Sequence, residues 1–394
     1  MKKKILLGWI LILITGFPLL AAAENEGDSR MVNEMIRSRL DQLQTEQVEE
    51  FWKQIAQDYE KYLDGQSSKD IFDLILSGEN GLSLKNVLSG FVRYFFDEVL
   101  YNGKLLGSII ILTVFSMILQ TLQTAFEQNQ VSKVAYAIVF MVVIILAVNS
   151  FYVAVDSAKL AIGRMTDFML SLVPLMMTLM VTMGNVVSVS LFHPLIVFMI
   201  HIIGTLIYTV VFPLLFFSAV LSIVSSITEK YKVNHLAGLL RKTGITLLGG
   251  LLAVFLGVIS IQGATSAVTD GITLRTAKYI TGNFVPVVGR TISEAADTVM
   301  SASLLVKNTV GLSGVLILLF ICAFPALKIL SLAFIYNFSA AIMQPLGSSP
   351  IIESLNTIGK TLIYVFAALA TVGLMFFLSV TILVAAGNIS AMIR

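Results

Sequence analysis

Along most of this chain, polar positions are gaps between long apolar runs. Two runs, 104–123 and 134–155, are each about the length of one bilayer-spanning helix, which needs roughly 20 apolar residues. A third lies at about 168–190, another at 243–262, and a last at 361–387. Two more, 194–227 and 310–347, are too long for one ordinary crossing. Pro213 falls near the middle of the first, and Pro325 and Lys328 interrupt the second. Each is expected to cross twice or to hold a re-entrant piece.

Before these runs the pattern is that of amphipathic helices. Met31, Ile36, Leu40, Phe51, Ile55 and Tyr59 recur at near-helical spacing. Ser68 is a candidate cap for a short helix through Leu76 that ends near Gly78, and Ser83 for one whose face carries Leu84, Val87, Leu88, Phe91, Phe95 and Val99. This stretch reads as a small helical domain or as helices lying on the membrane surface. Its face with Phe51, Trp52 and Tyr59 has only a thin core of its own, so a solvated leader and a partner-binding surface both remain open.

The chain start is of another kind. Lys2, Lys3 and Lys4 precede an apolar stretch over 5–20, followed by Ala21-Ala22-Ala23. That is the order of a secretory signal, with cleavage expected after Ala21-x-Ala23; an uncleaved anchor is the alternative. In both cases the lysines stay inside and residue 24 begins outside. The basic stretch 229–242 belongs inside by the same rule, which favours a double crossing of 194–227.

The organisation expected is therefore a signal peptide (1–23), an acidic helical extracytoplasmic region (24–103), two first transmembrane helices (104–155), and two membrane repeats (156–265 and 266–394). The fold class is all-α: a polytopic transmembrane helix bundle with a candidate internal duplication. The duplication rests on Val173-Pro174 and Phe212-Pro213 recurring 112 residues later as Val285-Pro286 and Phe324-Pro325. Repeats of this kind are common in membrane transport proteins.

Composition sharpens the picture. Of the 394 residues 57% are hydrophobic and only 13% charged, about half the charged share of a soluble domain. The net charge of +2 conceals an asymmetry: residues 24–100 carry 16 acidic and 8 basic side chains, residues 101–394 carry 8 and 15. No basic patch interleaved with aromatics suggests nucleic acid. Cys322 is the only cysteine, which excludes an internal disulfide.

Candidate chemistry is sparse. The string from Ser354 to Thr361 ends like a phosphate loop but lacks its first glycine and leads into an apolar span, so it is rejected. His193 and His201 have no carboxylate or cysteine near them in sequence, and hydrogen bonding inside the bundle suits them better than a metal. No hydrolytic motif appears, no cofactor is implied, and no enzyme activity is expected. Gly249, Ala253 and Gly257 form a small-residue stripe suited to close helix packing.

One segment breaks the apolar pattern. Between 266 and 308, Asp270, Arg275, Lys278, Arg290, Glu294, Asp297 and Lys307 interrupt helix-compatible sequence. A charge at mid-membrane costs roughly 2.5–3.5 kcal/mol on insertion scales. The segment is a solvated loop with surface helices, a re-entrant element, or the lining of an aqueous path. It is the best functional candidate, as an interaction or conduit segment.

Several strings are specific enough to carry a resemblance. Asn102-Gly-Lys-Leu-Leu-Gly107, Val131-Ser-Lys-Val-Ala-Tyr136, the run from Ala267 to Lys278, Lys307-Asn-Thr-Val-Gly311 and Gln344-Pro-Leu-Gly347 resemble the stage III sporulation protein AE family. The likeness extends over the whole chain and is looser in the acidic head. It implies a mother-cell membrane protein of endospore-forming bacteria, with the head facing the intermembrane space. It also implies partners: the other stage III sporulation proteins of the A operon, and stage II sporulation protein Q across that space. Together these would form a channel or feeding complex that sustains the forespore; a homo-oligomer is compatible. The family offers no catalytic residues to carry over. An independent secondary transporter and a non-conducting scaffold are the competing readings.

Overall fold

The computed structural model describes residues 36, 40, 43, 45–63, 70–76, 83–125, 130–227, 233–284, 288–346 and 349–392. The chain divides into two units, Met1–Gln42 and Leu43–Arg394. In the first unit only Ile36 and Leu40 are described, both buried, and the expected signal peptide with Ala21 and Ala23 lies outside the described residues.

The second unit is all-α, with no strand among its described residues. Its head consists of α1 (Glu46–Asp58), a 3₁₀ turn (Glu60–Tyr62), α2 (Ile71–Leu76) and α3 (Leu84–Tyr101). The body consists of α4 (Gly103–Ala125), α5 (Gln130–Thr182), α6 (Val186–Leu206), α7 (Phe212–Ile227), α8 (Asn234–Phe284), α9 (Val288–Met343) and α10 (Pro350–Met392). Six stretches of described helix are long and apolar enough to cross a membrane, as in a multi-pass membrane protein.

The body helices are longer than the apolar runs suggest. Positions 134–155 and 168–182 lie on one helix, α5, of 53 residues. Residues 186–227 form one helical path, with a π-turn at Ile207–Val211 instead of a reversal. The 310–347 run likewise contains no turn at Pro325 or Lys328, both of which sit inside α9, a helix of 56 residues. The expected boundaries at 155/156 and 265/266 therefore fall within helices.

Periodicity explains the continuity of α5. Ala158, Ala161, Ile162, Met165, Phe168, Met169 and Leu172 are all buried, at spacings of three and four, while Asp156, Arg164 and Asp167 are exposed. The charges occupy the outer face of an uninterrupted amphipathic helix. The helix ends at Gly184, whose φ of 82° an L side chain rarely adopts, so the chain reverses into α6 there.

Packing is extensive, and α9 runs antiparallel to both α5 and α10. α9 lies along α10 and α5, α8 along α7 and α10, and α4 along the first part of α5. The π-turn places Tyr208 against α5: its hydroxyl donates to the Lys159 carbonyl at 2.5 Å, and its ring lies 5.7 Å from the Lys159 ammonium. Phe212 and Phe324, the residues before the two recurring prolines, are both buried.

The head builds no separate core; it uses the body. Trp52 is 1% exposed and its ring meets Phe320 of α9 at 5.9 Å. Phe51 meets Phe168 of α5 edge-on at 5.2 Å, and Tyr59 stacks on Phe324 at 3.7 Å. Phe91 of α3 packs edge-on to both Phe320 and Phe324. Aromatic pairs of this geometry contribute roughly 0.5–1.5 kcal/mol each beyond area burial. The Phe51–Trp52–Tyr59 face of the acidic head is thus covered by the chain's own bundle, whereas Leu88 of α3 stays exposed.

Candidate functional site at the charged end of the bundle

Of the charges between 266 and 308, Asp270 is placed most firmly by its contacts. It lies on α8, is 1% exposed, and faces the start of α6. The Val187 N–H donates to its Oδ1 and the Ser188 N–H to its Oδ2, both at 3.0 Å. The first turn of a helix leaves N–H groups without intrahelical acceptors and carries partial positive charge. A carboxylate from a neighbouring helix supplies what the local sequence does not, because Asn185, at the cap position of α6, makes no side-chain cap bond. Asp270 therefore ties α8 to α6 and replaces water around its charge with two backbone donors.

Lys307, on α9, is also fully buried. Its ammonium donates to the Val384 carbonyl at 2.8 Å and to Asn388 Oδ1 at 3.0 Å, both on α10. Gly311, one turn further along α9, meets Met176 of α5 and Val384 of α10. This level is near the end of α5, where α6 begins and Asp270 docks, so the two buried charges share one end of the bundle. Neither is paired with an opposite charge among the described residues. Each is held by neutral groups, an arrangement that fixes helices while limiting desolvation cost.

Polar groups around these two are incompletely satisfied. Both polar side-chain atoms of Asn185, the Ser188 hydroxyl and Asn308 Oδ1 are buried without hydrogen-bond partners among the described residues. Buried polar atoms are ordinarily paired, so this end of the bundle holds unused hydrogen-bonding capacity.

The backbone positions of Arg275 and Lys278 lie on α8, and those of Arg290, Glu294 and Asp297 on α9, on either side of the α8–α9 connection. Their side chains lie outside the described residues. Lys307 was legible as one of the interrupting charges, but its burial was not. The signal was the uninterrupted apolar run that begins just after it.

The other sequence-marked residues disperse. Gly249, Ala253 and Gly257 are exposed on α8, and a Cβ added at either glycine would meet nothing within 4 Å. The stripe faces away from every described helix of its own chain. His193 and His201 are exposed, not interior, and His201 Nδ1 pairs with the Val197 carbonyl of its own helix at 2.9 Å. The rejected phosphate-loop string lies within α10, with Gly359 against the Asn337 side chain.

Electrostatics also fasten the head. Arg164 of α5 pairs with Asp58 of α1 at 3.0 Å, an exposed bridge worth at most about 1 kcal/mol. The Lys61 ammonium and the Tyr62 hydroxyl both donate to Asp97 Oδ2. These two bonds hold the Asp97 carboxyl below its usual range, and the same carboxylate raises Lys61. Burial, reinforced by the Asp58 charge, pushes the Tyr59 phenol up to about 12. Burial, with Glu98 beside it, raises Tyr94 as well.

Comparison with known proteins gives a single consistent result. The family model described as stage III sporulation protein AE matches residues 66–387. A stage III sporulation protein AE from Bacillus subtilis (strain 168) is 52% identical over 373 residues, covering 95% of this chain and 93% of that protein. No solved structure matches.

Proposed function

Because this chain belongs to the stage III sporulation protein AE family, we propose that it is a membrane component of the channel complex linking mother cell and forespore during endospore formation. The observation that carries this reading is near full-length identity with a sporulation-stage protein. In this reading the chain sits in the mother-cell membrane around the forespore, its signal peptide is removed, and its head faces the intermembrane space. The other stage III proteins of the A operon and stage II sporulation protein Q are its partners.

Two features support a role in assembly. The head is folded against the body by aromatic contacts, so it presents its acidic outer surface at a fixed position. The small-residue face of α8 is open, and its spacing suits close approach of a second membrane helix, from another copy or another protein. The charged ends of α8 and α9 serve as the interaction or conduit element. Within it Asp270 is a docking residue, because its carboxylate is buried and doubly bonded to α6.

The test is deletion of the gene in the native host, scoring vegetative growth beside heat-resistant spores. Normal growth with spores lost after engulfment is expected. A growth or uptake defect with normal sporulation would refute the reading in favour of an independent transporter. Neutralising Arg275, Lys278 and Arg290 together then separates conduit from scaffold: a conduit loses flux while the complex still assembles.

A further inference from the structure

Where the head meets the body there is a cleft of about 170 Å³, lined by Tyr59 of the head, Tyr94 of α3, Ser157 and Arg164 of α5, and Pro325 and Lys328 of α9. Its charges do not balance. Arg164 is neutralised by Asp58, whereas no carboxylate or other acceptor among the described residues pairs with the Lys328 ammonium. Glu98 keeps its charge while accepting from the Tyr94 hydroxyl at 3.2 Å, and it is not among the residues that line the cleft. Lys328 is half-buried, which makes an uncompensated cation there costly.

The remaining lining groups are donors. A guanidinium has five N–H donors, and the Asp58 bridge of Arg164, which lines the cleft, is made from one nitrogen, Nη1. The Tyr59 phenol stays protonated to high pH and so remains a donor at neutral pH. Ser157 adds a hydroxyl. Pro325, one turn before Lys328 on the same face, removes the N–H that would have bonded the Ile321 carbonyl and keeps the helix wall irregular at this point.

We propose that this cleft binds a singly charged phosphodiester anion, with Lys328 as the principal counter-charge and Arg164, Tyr59 and Ser157 as supporting donors. Lys328 offers one unpaired ammonium to a single negative charge, and the volume fits a phosphate group with its nearest substituents. Two sources have this chemistry: the headgroup of an acidic phospholipid, and a free phosphodiester.

The test uses the full purified chain with two probes. One is phosphatidylglycerol in nanodiscs or detergent, read by native mass spectrometry as retained lipid, with phosphatidylcholine as reference. The other is dissolved dimethyl phosphate, read by thermal shift. Wild type binds one or both. Lys328→Gln weakens binding by about tenfold or more, the loss expected for one charge-assisted hydrogen bond. Lys328→Arg retains binding, and Lys360→Gln, which alters an exposed cation of α10 outside the cleft, leaves it unchanged. Phosphatidylglycerol binding without dimethyl phosphate binding assigns a lipid headgroup; the reverse assigns a soluble anion. The proposal is overturned if wild type binds neither probe, or if a Lys328→Gln protein with unchanged helical circular dichroism binds as tightly as wild type.

Discussion

Replacing Asp270 tests whether the charged end of the bundle is held together as its contacts imply. In Asp270→Asn the shape is kept, but the charge is lost and one backbone donor, at Val187 or Ser188, faces an NH₂ group instead of an oxygen. A charge-assisted hydrogen bond contributes about 1.5–3 kcal/mol, and an orphaned buried N–H costs about 1–3 kcal/mol. Against these stands relief from burying a carboxylate, so a net loss of about 2 kcal/mol is expected. Asp270→Ala removes both acceptors and should cost about 3–5 kcal/mol, since two buried donors are then left bare. The assay is amide hydrogen exchange across 183–190 in the full chain. About 2 kcal/mol corresponds to roughly 30-fold faster exchange at Val187 and Ser188. The remote end of the bundle, near Tyr336 and its bond to Ser150, should exchange unchanged. Unaltered protection at both amides in Asp270→Ala would refute the docking argument.

Lys307→Met should cost less than about 1 kcal/mol, because a long apolar side chain fills the same space and removes a buried charge, whereas Lys307→Ala should cost about 2–4 kcal/mol by leaving a cavity; chemical denaturation of the two variants in one detergent gives the ranking. Gly373→Ala places a methyl 2.6 Å from Cys322 Sγ and should destabilise by about 1–3 kcal/mol. Gly249→Ala and Gly257→Ala meet nothing and should stabilise the isolated helix by about 0.5–1 kcal/mol. Gly257→Leu should leave that fold intact while reducing self- or partner association, read by crosslinking in membranes. The head contact should be constant through neutral pH. The low Asp97 value means its share is present above the ordinary carboxylate pKa and lost as pH falls through the lowered one. The raised Lys61 and Tyr59 values mean theirs are present below the unfolded values and lost as pH rises, for Tyr59 from about 10 to about 12. Phenolate absorbance and Trp52 fluorescence, followed together, report that release.

The sequence pattern disclosed the apolar body and the helical head, since each rests on local composition or period. It did not disclose where helices end. The charges at 156, 159, 164 and 167 look like a loop when counted, yet the intervening Ala158, Ala161, Ile162 and Met165 keep helical period and show one outer face. Pro325 and Lys328 look like a break, but a long helix tolerates a proline where neighbours on both sides pack against it. The partner of the Phe51–Trp52–Tyr59 face was out of reach for a different reason. Its aromatic counterparts, Phe168, Phe320 and Phe324, lie more than a hundred residues away, and only the folded chain brings them together. The small-residue stripe shows the converse limit: spacing reveals that a face permits close approach, not that its own chain uses it.

Helix length carries one last consequence. At 1.5 Å per residue α5 extends about 80 Å, against about 30 Å of hydrocarbon. Its first part exposes large apolar side chains, among them Val134, Met141, Ile145 and Tyr152. Its middle exposes Asp156, Arg164 and Asp167, each of which would cost roughly 2.5–3.5 kcal/mol facing lipid. The hydrocarbon boundary is therefore expected between Tyr152 and Asp156, with the head, joined to Arg164 through Asp58, just beyond it. After Cys322→Ala, Asp156→Cys and Asp167→Cys should react with a membrane-impermeant maleimide at rates like that of Asn86→Cys on the head. Ile145→Cys should stay protected until the membrane is dissolved. Protection at 156 and 167 with reaction at 86 would mean that the middle of α5 is enclosed by lipid or by a partner, and the placement of the boundary would fail.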